Sequence, residues 1–460
     1  MPSKKSFLQK AKQKTFDRKH RATIAFNIGK YDESVAIGKK QYADLEAVKR
    51  YAKNIKWQAI ENLADYLEEF ERNFAKRGGK VIWAKTAQEA TDKILHIAAE
   101  KRAKLVVKAK SMATEEIGLN EALKNKNIEV LETDLGEYIV QLAGEKPYHI
   151  VTPAMHKSKE DIAELFNEKL QTPLESTPEQ LTMAARKKLR TQFLKADIGI
   201  TGANFLVADI GAVALTENEG NIRIVSTYPK VHIAIVGIEK ILPSLDNLAH
   251  FWPLLATYGT GQKITTYNTI ISGAKQKGEI DGPEEMYVIL LDNGRSKMLA
   301  DKKRREALYC IRCGACLNAC PVYHHVGGHA YESPYAGPIG AAISPHLHQQ
   351  QHYKHLSHAS SLCGKCTEVC PMNIPVHEIL LENRQFFHSE KTLTKAARNE
   401  QLMWRFWEKA MLNRSFMNFG GRRLRQWLFK KMFADTWGEN RELLKFPKKS
   451  FNQLWKSGKI

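Results

Sequence analysis

The sequence lacks cysteine over most of its length: residues 1–309 and 371–460 contain none. A secreted protein held together by disulfides would instead spread an even number of cysteines through a small chain. The chain also lacks an apolar run of the ~18–20 residues that span a membrane, because its best candidate, Val231 to Ile238, is only as long as a strand. Its lysine-rich N-terminus has neither an apolar core nor a cleavage site, which argues against a secretory signal. We therefore expect a cytoplasmic protein, and its 460 residues allow roughly two to four domains.

Net charge is scarce in the body of the chain, although the whole sequence carries +20. Residues 1–21 contribute +7 and residues 391–460 contribute +12, so the part between them is close to neutral. Five of the eight tryptophans lie in the basic C-terminal stretch, at positions 404, 407, 427, 437 and 455. This mixture suits a peripheral position at the inner face of the membrane or the groove of a partner protein. Packing against the rest of the chain and plain solvation are the alternatives, and nothing else in the sequence supports nucleic acid as a partner.

The seven cysteines form two runs. The first run reads Cys310-Ile-Arg-Cys313-Gly-Ala-Cys316-Leu-Asn-Ala-Cys320-Pro321, and the second reads Cys363-Gly-Lys-Cys366-Thr-Glu-Val-Cys370-Pro371. The first is the complete C-x2-C-x2-C-x3-C-P pattern of bacterial ferredoxins. Three thiolates at this spacing wrap three corners of an iron–sulfur cube, whereas zinc ribbons use paired C-x2-C knuckles. The pattern therefore predicts two iron–sulfur clusters.

The fourth cysteine of each run ligates the cluster of the opposite run in ferredoxins that hold two clusters. This crossover assigns the first cluster, a [4Fe–4S], to Cys310, Cys313, Cys316 and Cys370. The second cluster keeps only Cys320, Cys363 and Cys366, because Ser360 stands where the second run would supply its missing thiol. It is therefore either a [4Fe–4S] whose fourth ligand is serine, histidine, water or a partner's group, or a [3Fe–4S].

Half of the sixteen histidines lie between the two runs, at positions 324, 325, 329, 346, 348, 352, 355 and 358. One interpretation makes a histidine the odd ligand of the second cluster or a proton partner in a redox reaction. The other, which we favour for any single histidine, is a hydrogen-bonded structural role. Glycines at 327, 328, 337 and 340 mark turns that suit a backbone passing close to cluster sulfurs.

Short β-rich runs alternate with helical patterns before the cysteines. The runs predicted as strands are Lys80–Lys85, Leu105–Lys108, Ile128–Leu131, His149–Thr152, Ile222–Ser226, Val231–Val236 and Met286–Leu291. Helices are predicted over 86–102 and 158–170, and capping boxes at Thr86 with Glu89 and at Thr177 with Gln180. This alternation predicts βαβ units and a mainly parallel sheet. Residues 22–75 are predicted to form a polar helical arm, and the glycines of 199–211 do not match a dinucleotide-binding pattern.

The segment that runs from Thr201-Gly-Ala-Asn-Phe-Leu-Val-Ala-Asp-Ile-Gly through Ala-Val-Ala-Leu-Thr-Glu-Asn-Glu-Gly220 carries a family resemblance. Together with the two cysteine runs, it resembles the iron–sulfur subunits (protein B) of LutABC-type bacterial L-lactate utilization systems. The resemblance covers most of the chain, roughly residues 60–460. It implies an α/β lactate-utilization (LUD-type) domain with a NagB/RpiA/CoA-transferase-like fold, followed by an α-helical ferredoxin-like two-cluster module and a helical basic tail. It also implies two partners, a cysteine-rich protein and a second LUD-type protein.

The expected domains are a helical basic arm at 1–70, the α/β domain at 71–298, the iron–sulfur module at 299–390 and the Trp-rich extension at 391–460. We expect an electron-transfer protein that takes part in the oxidation of L-lactate to pyruvate. The alternative is a catalytic subunit whose α/β domain binds the 2-hydroxy acid while the incompletely thiolated cluster acts in the chemistry. A redox sensor that binds nucleic acid through its basic ends is a third, less favoured hypothesis. The sequence assigns no catalytic residue.

Overall fold

The computed structural model of the chain describes residues 2–348, 350–389, 395–418, 420–437 and 442–458. The chain forms two compact units, Met1–Phe387 and His388–Ile460. The predicted boundary between the module and the extension, at residues 390 and 391, lies outside the described residues. No helix within the described ranges is both long enough and apolar enough to cross a bilayer.

Two sheets organise the first unit. The described strands are β1 Gly79–Ala84, β2 Leu105–Lys108, β3 Glu129–Glu132, β4 Ile198–Thr201, β5 Phe205–Val207, β6 Ala212–Glu217, β7 Val231–Gly237, β8 Ile241–Leu242, β9 Tyr267–Ile271 and β10 Glu285–Leu291. Six of them form a parallel sheet in the order β1-β10-β7-β4-β2-β3. The other four form a mixed sheet in the order β8-β5-β6-β9. The predicted parallel sheet is therefore confirmed.

The six-stranded sheet is buried on both faces. In β7, Ile233 and Ile235 point into one apolar core while Ala234 and Val236 point into the other. Successive side chains of a strand face opposite sides of a sheet, and strands covered on both sides read as continuous apolar runs. One core is closed by the helices around 87–100 and 119–124. The other extends through the four-stranded sheet into the region that carries the cysteines.

Helices supply the rest of the first unit. Before the cysteines they are Lys4–Phe16, Arg18–Gly38, Leu45–Glu61, Leu63–Ala75, Ala87–Glu100, Met112–Glu116, Leu119–Lys124, Leu135–Leu142, Lys159–Leu170, Pro178–Phe193, Asn221–Thr227, Leu248–Thr260 and Arg295–Ala300. From the first cysteine run onward they are Ala315–Asn318, Pro321–Val326, Gly337–Leu347, Gln350–Tyr353, Lys365–Glu368 and Val376–Ser389. The predicted capping box of Thr177 and Gln180 is present. At Thr86 only half of the box forms, because the Glu89 carboxylate accepts the N–H of Lys85 instead.

The second unit contains the helices Lys395–Leu412, Arg414–Asn418, Gly421–Trp437 and Phe451–Lys456. The side chains of Trp404, Trp407, Trp427 and Trp455 are all substantially exposed there. The side chain of Trp437, the remaining tryptophan of the basic stretch, lies outside the described residues. A basic residue neighbours one of these rings: Lys431 Nζ lies over Trp427, 5.1 Å from the ring centroid, within the distance of a cation–π contact.

Two predicted strands are wrong. Residues 222–226 belong to the helix Asn221–Thr227, because the Glu217 carboxylate accepts the backbone N–H groups of Ile222 and Arg223 at its first turn. Residues 149–152 form an irregular loop in which the His149 ring nitrogen Nδ1 accepts the N–H groups of Val151 and Thr152. Side-chain acceptors have taken the donors that a strand would present to a neighbour.

The N-terminal helices are not the predicted polar arm. Ile24 and Ile28 of the second helix, and Phe70 and Phe74 of the fourth, are buried in the core that also holds the cysteine region. Helices with an apolar stripe bury that stripe against another element, so the apolar positions decide the outcome over the many charged ones. This segment is part of the first unit.

A buried ion-pair network joins residues from the segments that follow three strands, β2, β7 and β10. Arg295, which follows β10, donates to both carboxylate oxygens of Glu116 at 2.9 and 2.8 Å and to Glu239, after β7, at 2.5 Å. All three side chains are almost completely buried, and Tyr335 of the cysteine region also donates to Glu116 at 2.6 Å. Burial raises the pKa of Glu116, but Arg295 outweighs it and holds that pKa at about 2. Both carboxylates are therefore ionised and depend on Arg295.

Replacing Arg295 by methionine is expected to destabilise the first unit by about 3–5 kcal/mol, because it leaves Glu116 buried without its cation and Glu239 with only the more distant Arg312. Denaturant unfolding followed by circular dichroism measures this loss. Lys303→Met is the matched control: Lys303 is exposed and its partner Glu382 is half-buried, so we expect a loss below about 1 kcal/mol. Equal unfolding midpoints for the two variants would contradict a large contribution of the buried network to the free energy of unfolding.

Candidate metal centre

The two cysteine runs fold as copies of one loop. Arg312 and Leu362 hold equivalent positions with φ of 64° and 55°, and Gly314 and Gly364 follow with φ of 81° and 80°. Each glycine begins a one-turn helix, Ala315–Asn318 in the first run and Lys365–Glu368 in the second. The same backbone hydrogen bonds close both turns. The equal spacing of the runs in sequence is therefore also an equal geometry in space.

Ser360 occupies the place of Cys310 in this repeat. The backbone N–H of Arg312 donates to the Cys310 sulfur at 3.4 Å, and the N–H of Leu362 donates to the Ser360 hydroxyl oxygen at 3.1 Å. The hydroxyl oxygen thus sits where the repeat puts a ligand atom. The neighbouring Cys363 is the one exposed cysteine, and the N–H of Lys365 and the Ser361 hydroxyl lower the pKa of its thiol.

The cysteines gather in two groups that draw on both runs. After burial, the charges of Cys310, Cys313 and Cys370 are what raise the pKa of Cys316, so these four sulfurs lie within electrostatic range of one another. In the same way, burial and then the charges of Cys320 and Cys363 raise the pKa of Cys366 to about 11. These electrostatic contacts are compatible with the crossover rule, whose assignment of four thiols to the first cluster and three to the second stays a prediction.

The chemistry of these groups fits a bound metal cluster. All seven cysteines are free thiols, and five of them have a pKa raised by burial: Cys313, Cys316, Cys320, Cys366 and Cys370. Metal ligation requires the deprotonated thiol, and the bound metal supplies the positive charge that a group of buried thiolates needs. Iron–sulfur clusters are held by such groups of four cysteines, or three with a substitute ligand.

Buried cations surround the first group. Lys56 is buried and its ammonium donates to the backbone carbonyls of Glu239 and Ile241. The ammonium of Lys240 donates to the carbonyl of Cys310 at 3.3 Å. Burial lowers the pKa of Lys56 to about 7 and that of Lys240 to about 8, and the charges of Glu239 and then of Cys310 oppose both shifts. An anionic group bound near Cys310 would therefore favour the charged form of both lysines.

Arg312 adds a third cation at the same place. Its guanidinium lies 4.7 Å from the centre of the Tyr335 ring and 3.3 Å from a carboxylate oxygen of Glu239. Glu239 is already paired with Arg295, so one carboxylate serves two guanidiniums. Within the described residues, Arg312 Nη1 is a buried donor without an acceptor. A cluster held by thiolates is anionic and supplies the charge that these cations lack.

A cavity of about 630 Å³ adjoins this group. It opens at the carboxyl ends of the neighbouring strands β2, β4 and β7, where Lys110, Gly202 and Lys240 line it. The other wall is the first cysteine loop, through Arg312 and Asn318. No residue of the second run, positions 360–370, lines it. Ligands of parallel α/β sheets bind at this edge, where the loops after adjacent strands diverge.

His149 joins the cavity to the cysteine loop. Its Nδ1 accepts two backbone N–H groups, so the hydrogen of the neutral ring lies on Nε2. The ring packs beside Gly314: a Cβ at that glycine would lie 3.0 Å from His149 Cε1. Burial lowers the pKa of His149 to about 3, so the ring stays neutral near pH 7. The side chain therefore supports the loop as an uncharged group.

Several histidines of the insert have structural partners, as the favoured interpretation predicts. His324 contacts the carbonyl of Asn318 at 2.5 Å, and His346 contacts the Asn383 side chain at 2.8 Å. His329 instead lies beside Glu145 and His156 of the α/β domain. Sequence reasoning missed the cations around Cys310 and the cavity, because their residues are far apart in the chain. The local sequence offered one signal of the buried cations, namely Lys240, which follows the apolar run of β7.

Comparison with known proteins agrees with this architecture. Residues 67–291 match the family model of the LUD domain, and residues 306–374 match that of the 4Fe-4S dicluster domain. The second match implies iron–sulfur clusters in the part of the chain that holds the cysteines. A crystal structure of a DUF162 family protein from Deinococcus radiodurans matches with a TM-score of 0.29 at 16% identity, over 50% of this chain and 98% of that one. So weak a likeness carries no argument.

Curated relatives match most of the chain. Lactate utilization protein B of Bacillus velezensis is 48% identical over 75% of this chain and 73% of its own length. The proteins of the same name from Bacillus subtilis and Anoxybacillus flavithermus are 49% and 46% identical, over 75% and 80% of this chain and 72% and 75% of their own lengths.

The variants Gly314→Ala and Gly364→Ala test the loop geometry. Both glycines have the same φ, so each variant bears left-handed strain of about 1–2 kcal/mol. Only at Gly314 would the new Cβ meet neighbours, His149 at 3.0 Å and Val151 at 3.1 Å, whereas nothing lies within 4 Å at Gly364. We expect Gly314→Ala to lose roughly 1–3 kcal/mol more than Gly364→Ala and to retain less iron. Thermal midpoints and iron per chain compare them, and equal losses would refute the packing of His149 on this loop.

Proposed function

Because the chain belongs to the lactate utilization protein B family, we propose that it is an iron–sulfur electron carrier in the oxidation of L-lactate to pyruvate. That oxidation releases two electrons and two protons. Each cluster, once bound, takes up and gives back one electron. Two cysteine groups in one module therefore match the number of electrons that leave each lactate. The observation that supports the proposal is the paired loop geometry, because the two cysteine runs fold with the same backbone angles and the same turn hydrogen bonds.

The proposed ligands of the first cluster are Cys310, Cys313, Cys316 and Cys370, and those of the second are Cys320, Cys363 and Cys366. The electrostatic contacts within each group support this assignment. Lys56, Lys240 and Arg312 would offset the charge of the first cluster. Added positive charge favours the reduced, more anionic state, so these cations would raise its reduction potential. The second group has no such set of buried cations among its described neighbours, and its Cys363 is exposed.

We further propose that the α/β domain has the NagB/RpiA/CoA-transferase-like architecture, with its ligand edge turned toward the first cysteine group. The partners that complete the reaction would be a cysteine-rich lactate-utilization protein and a second LUD-type protein. The exposed face around Cys363 is where such a partner could approach within electron-transfer distance. Support for this face is the contrast between exposed Cys363 and the first group, whose cysteines are buried or half-buried.

A catalytic role is the second candidate, and the cavity favours it. Lys240 and Arg312 stand at the end of the cavity next to Cys310 and have the chemistry to bind a carboxylate. The second group, which has only three thiols, does not border the cavity. The cysteine loop in the cavity wall belongs to the first run, whose four-cysteine motif is complete. The geometry thus supports substrate binding near the first group more than chemistry at an open iron of the second.

Addition of L-lactate to the anaerobically reconstituted chain distinguishes the two functions. An electron carrier keeps its oxidised visible spectrum with L-lactate alone, is reduced by dithionite, and is reduced by lactate once the partner proteins are present. Bleaching by L-lactate alone, with D-lactate inert, would establish the catalytic role instead. Clusters that dithionite cannot reduce, or that cannot be reoxidised, would contradict electron transfer.

Ser360→Cys tests the second ligand group. The new thiol would stand where Cys310 stands in the first run, so we expect it to complete the group and slow the loss of iron to a chelator by roughly tenfold or more. Ser360→Ala is the matched control and is expected to behave as the wild type, unless the hydroxyl is itself a ligand. Iron retention and electron paramagnetic resonance measure the change. One additional titratable free thiol with unchanged iron retention would show that position 360 is not at the cluster.

A further inference from the structure

A second set of metal-ligating side chains lies apart from the cysteines. Glu145 and His156 belong to the loop between the helices Leu135–Leu142 and Lys159–Leu170, and His329 belongs to the insert between the cysteine runs. One potential ligand atom from each of the three lies within 4.8 Å of the others. The family models and the proposed clusters leave these residues without a role. His329 follows His156 by 173 residues, so the fold brings together donors that are distant in the sequence.

The hydrogen bonds of His329 leave one nitrogen ready to bind a metal. Its Nε2 lies 2.7 Å from the carbonyl oxygen of Lys146 and can only donate to it. The neutral ring therefore carries its hydrogen on Nε2 and a lone pair on Nδ1. Metal-binding histidines commonly donate their other ring N–H to a carbonyl or carboxylate, which fixes the tautomer in this way. Burial lowers the pKa of His329, which keeps the ring neutral near pH 7.

His156 is held in a similar state. Its Nε2 is 2.6 Å from a carboxylate oxygen of Glu145, and its ring stacks on Tyr148 with centroids 4.6 Å apart. Its Nδ1 is buried, and no hydrogen-bond partner for it exists among the described residues. Burial lowers the pKa of His156 to about 4 despite the Glu145 hydrogen bond. The buried Nδ1 of this neutral imidazole therefore has a lone pair without a donor, and a metal ion would supply the missing partner.

Glu145 supplies the anionic donor. Burial raises its pKa, but the hydrogen bonds from Lys157 and His156 outweigh burial and hold the pKa below its ordinary value. Lys157 contacts one carboxylate oxygen at 2.7 Å, and His156 contacts the other. The carboxylate oxygen that accepts the His156 hydrogen bond keeps a second lone pair, and this lone pair is available to a metal. Lys157 is the competing cation, since its charge already neutralises part of the carboxylate.

We propose that Glu145, His156 and His329 bind a divalent transition-metal cation, with zinc as the expected occupant. Two imidazoles and one carboxylate form a donor set that suits zinc, and water would complete a tetrahedral site. The metal joins a loop of the α/β domain to the insert of the cysteine module. Tyr148, next to this set, accepts a hydrogen bond from Tyr323 through its carbonyl, and the N–H of Tyr323 points to the Cys320 sulfur at 3.5 Å. The bound metal therefore stabilises the position of the segment that carries Cys320.

Zinc and iron are measured together on the anaerobically reconstituted full chain after one equivalent of zinc is added and unbound metal is removed. We expect about one zinc per chain in the wild type with full iron content. His156→Gln and His329→Gln should weaken zinc binding at least about tenfold at equal iron content. Glu145→Gln, the most exposed of the three positions, provides the same test with the least risk to folding. His325→Gln is the matched control, because His325 is an exposed histidine of the same insert.

Lys157→Met separates a metal site from a simple salt-bridge cluster. It removes the competing cation and no ligand, so zinc should bind at least as tightly as in the wild type, and zinc should raise the thermal midpoint of both proteins. In the ligand variants zinc should leave the midpoint unchanged. The proposal is overturned if the iron-loaded wild type retains no zinc or if the ligand variants retain as much as the wild type. It is equally overturned if zinc rises only as iron falls, since that zinc would occupy the cysteines.

Discussion

The structure depends on the attraction between thiolate sulfur and cations inside a low-dielectric interior. Four of the seven cysteines are buried and two more are half-buried. Burial raises the pKa of five of the seven thiols and alone would keep those five protonated. Three basic groups around Cys310 share one carboxylate, Glu239, which is already paired with Arg295: Lys56, Lys240 and Arg312. The basic groups are therefore short of negative charge, whereas the buried thiols stay neutral until a metal binds them. An anionic cluster of iron and sulfide stabilises both the cysteines and the basic groups. Iron displaces the protons of the thiols on binding, and the net charge of the cluster balances the basic groups.

This constraint explains why the α/β domain and the cysteine module share one core. Lys56 comes from an N-terminal helix, Lys240 follows β7, and Arg312 belongs to the cysteine loop itself. The Arg295 network fixes the same corner by holding Glu116 and Glu239 at the strand ends. The carboxyl edge of the parallel sheet is therefore built against the first cysteine group. A substrate-sized cavity at this edge is a consequence of the same packing.

Local sequence signals predicted much of this arrangement. The apolar runs of β7 and β10 indicated buried parallel strands, and the cysteine spacing indicated two loops of ferredoxin type. The crossover grouping of Cys370 with the first run needed only the ferredoxin rule. Residues 149–152 and 222–226 were predicted as strands because their β-branched residues dominate the pattern, while His149 and Glu217 cap the backbone instead. The burial of the N-terminal helices, the role of Lys56 and the meeting of His329 with His156 depend on distant contacts, which no local pattern records.

Iron and sulfide analysis of the anaerobically purified wild-type chain, combined with electron paramagnetic resonance of the oxidised and reduced protein, tests the central claim most directly. The account predicts a brown protein with about seven or eight iron atoms per chain, in two magnetically distinct centres that share seven cysteine ligands. A colourless protein that holds only zinc at its cysteines, or a single centre with the second group of thiols free, would contradict it.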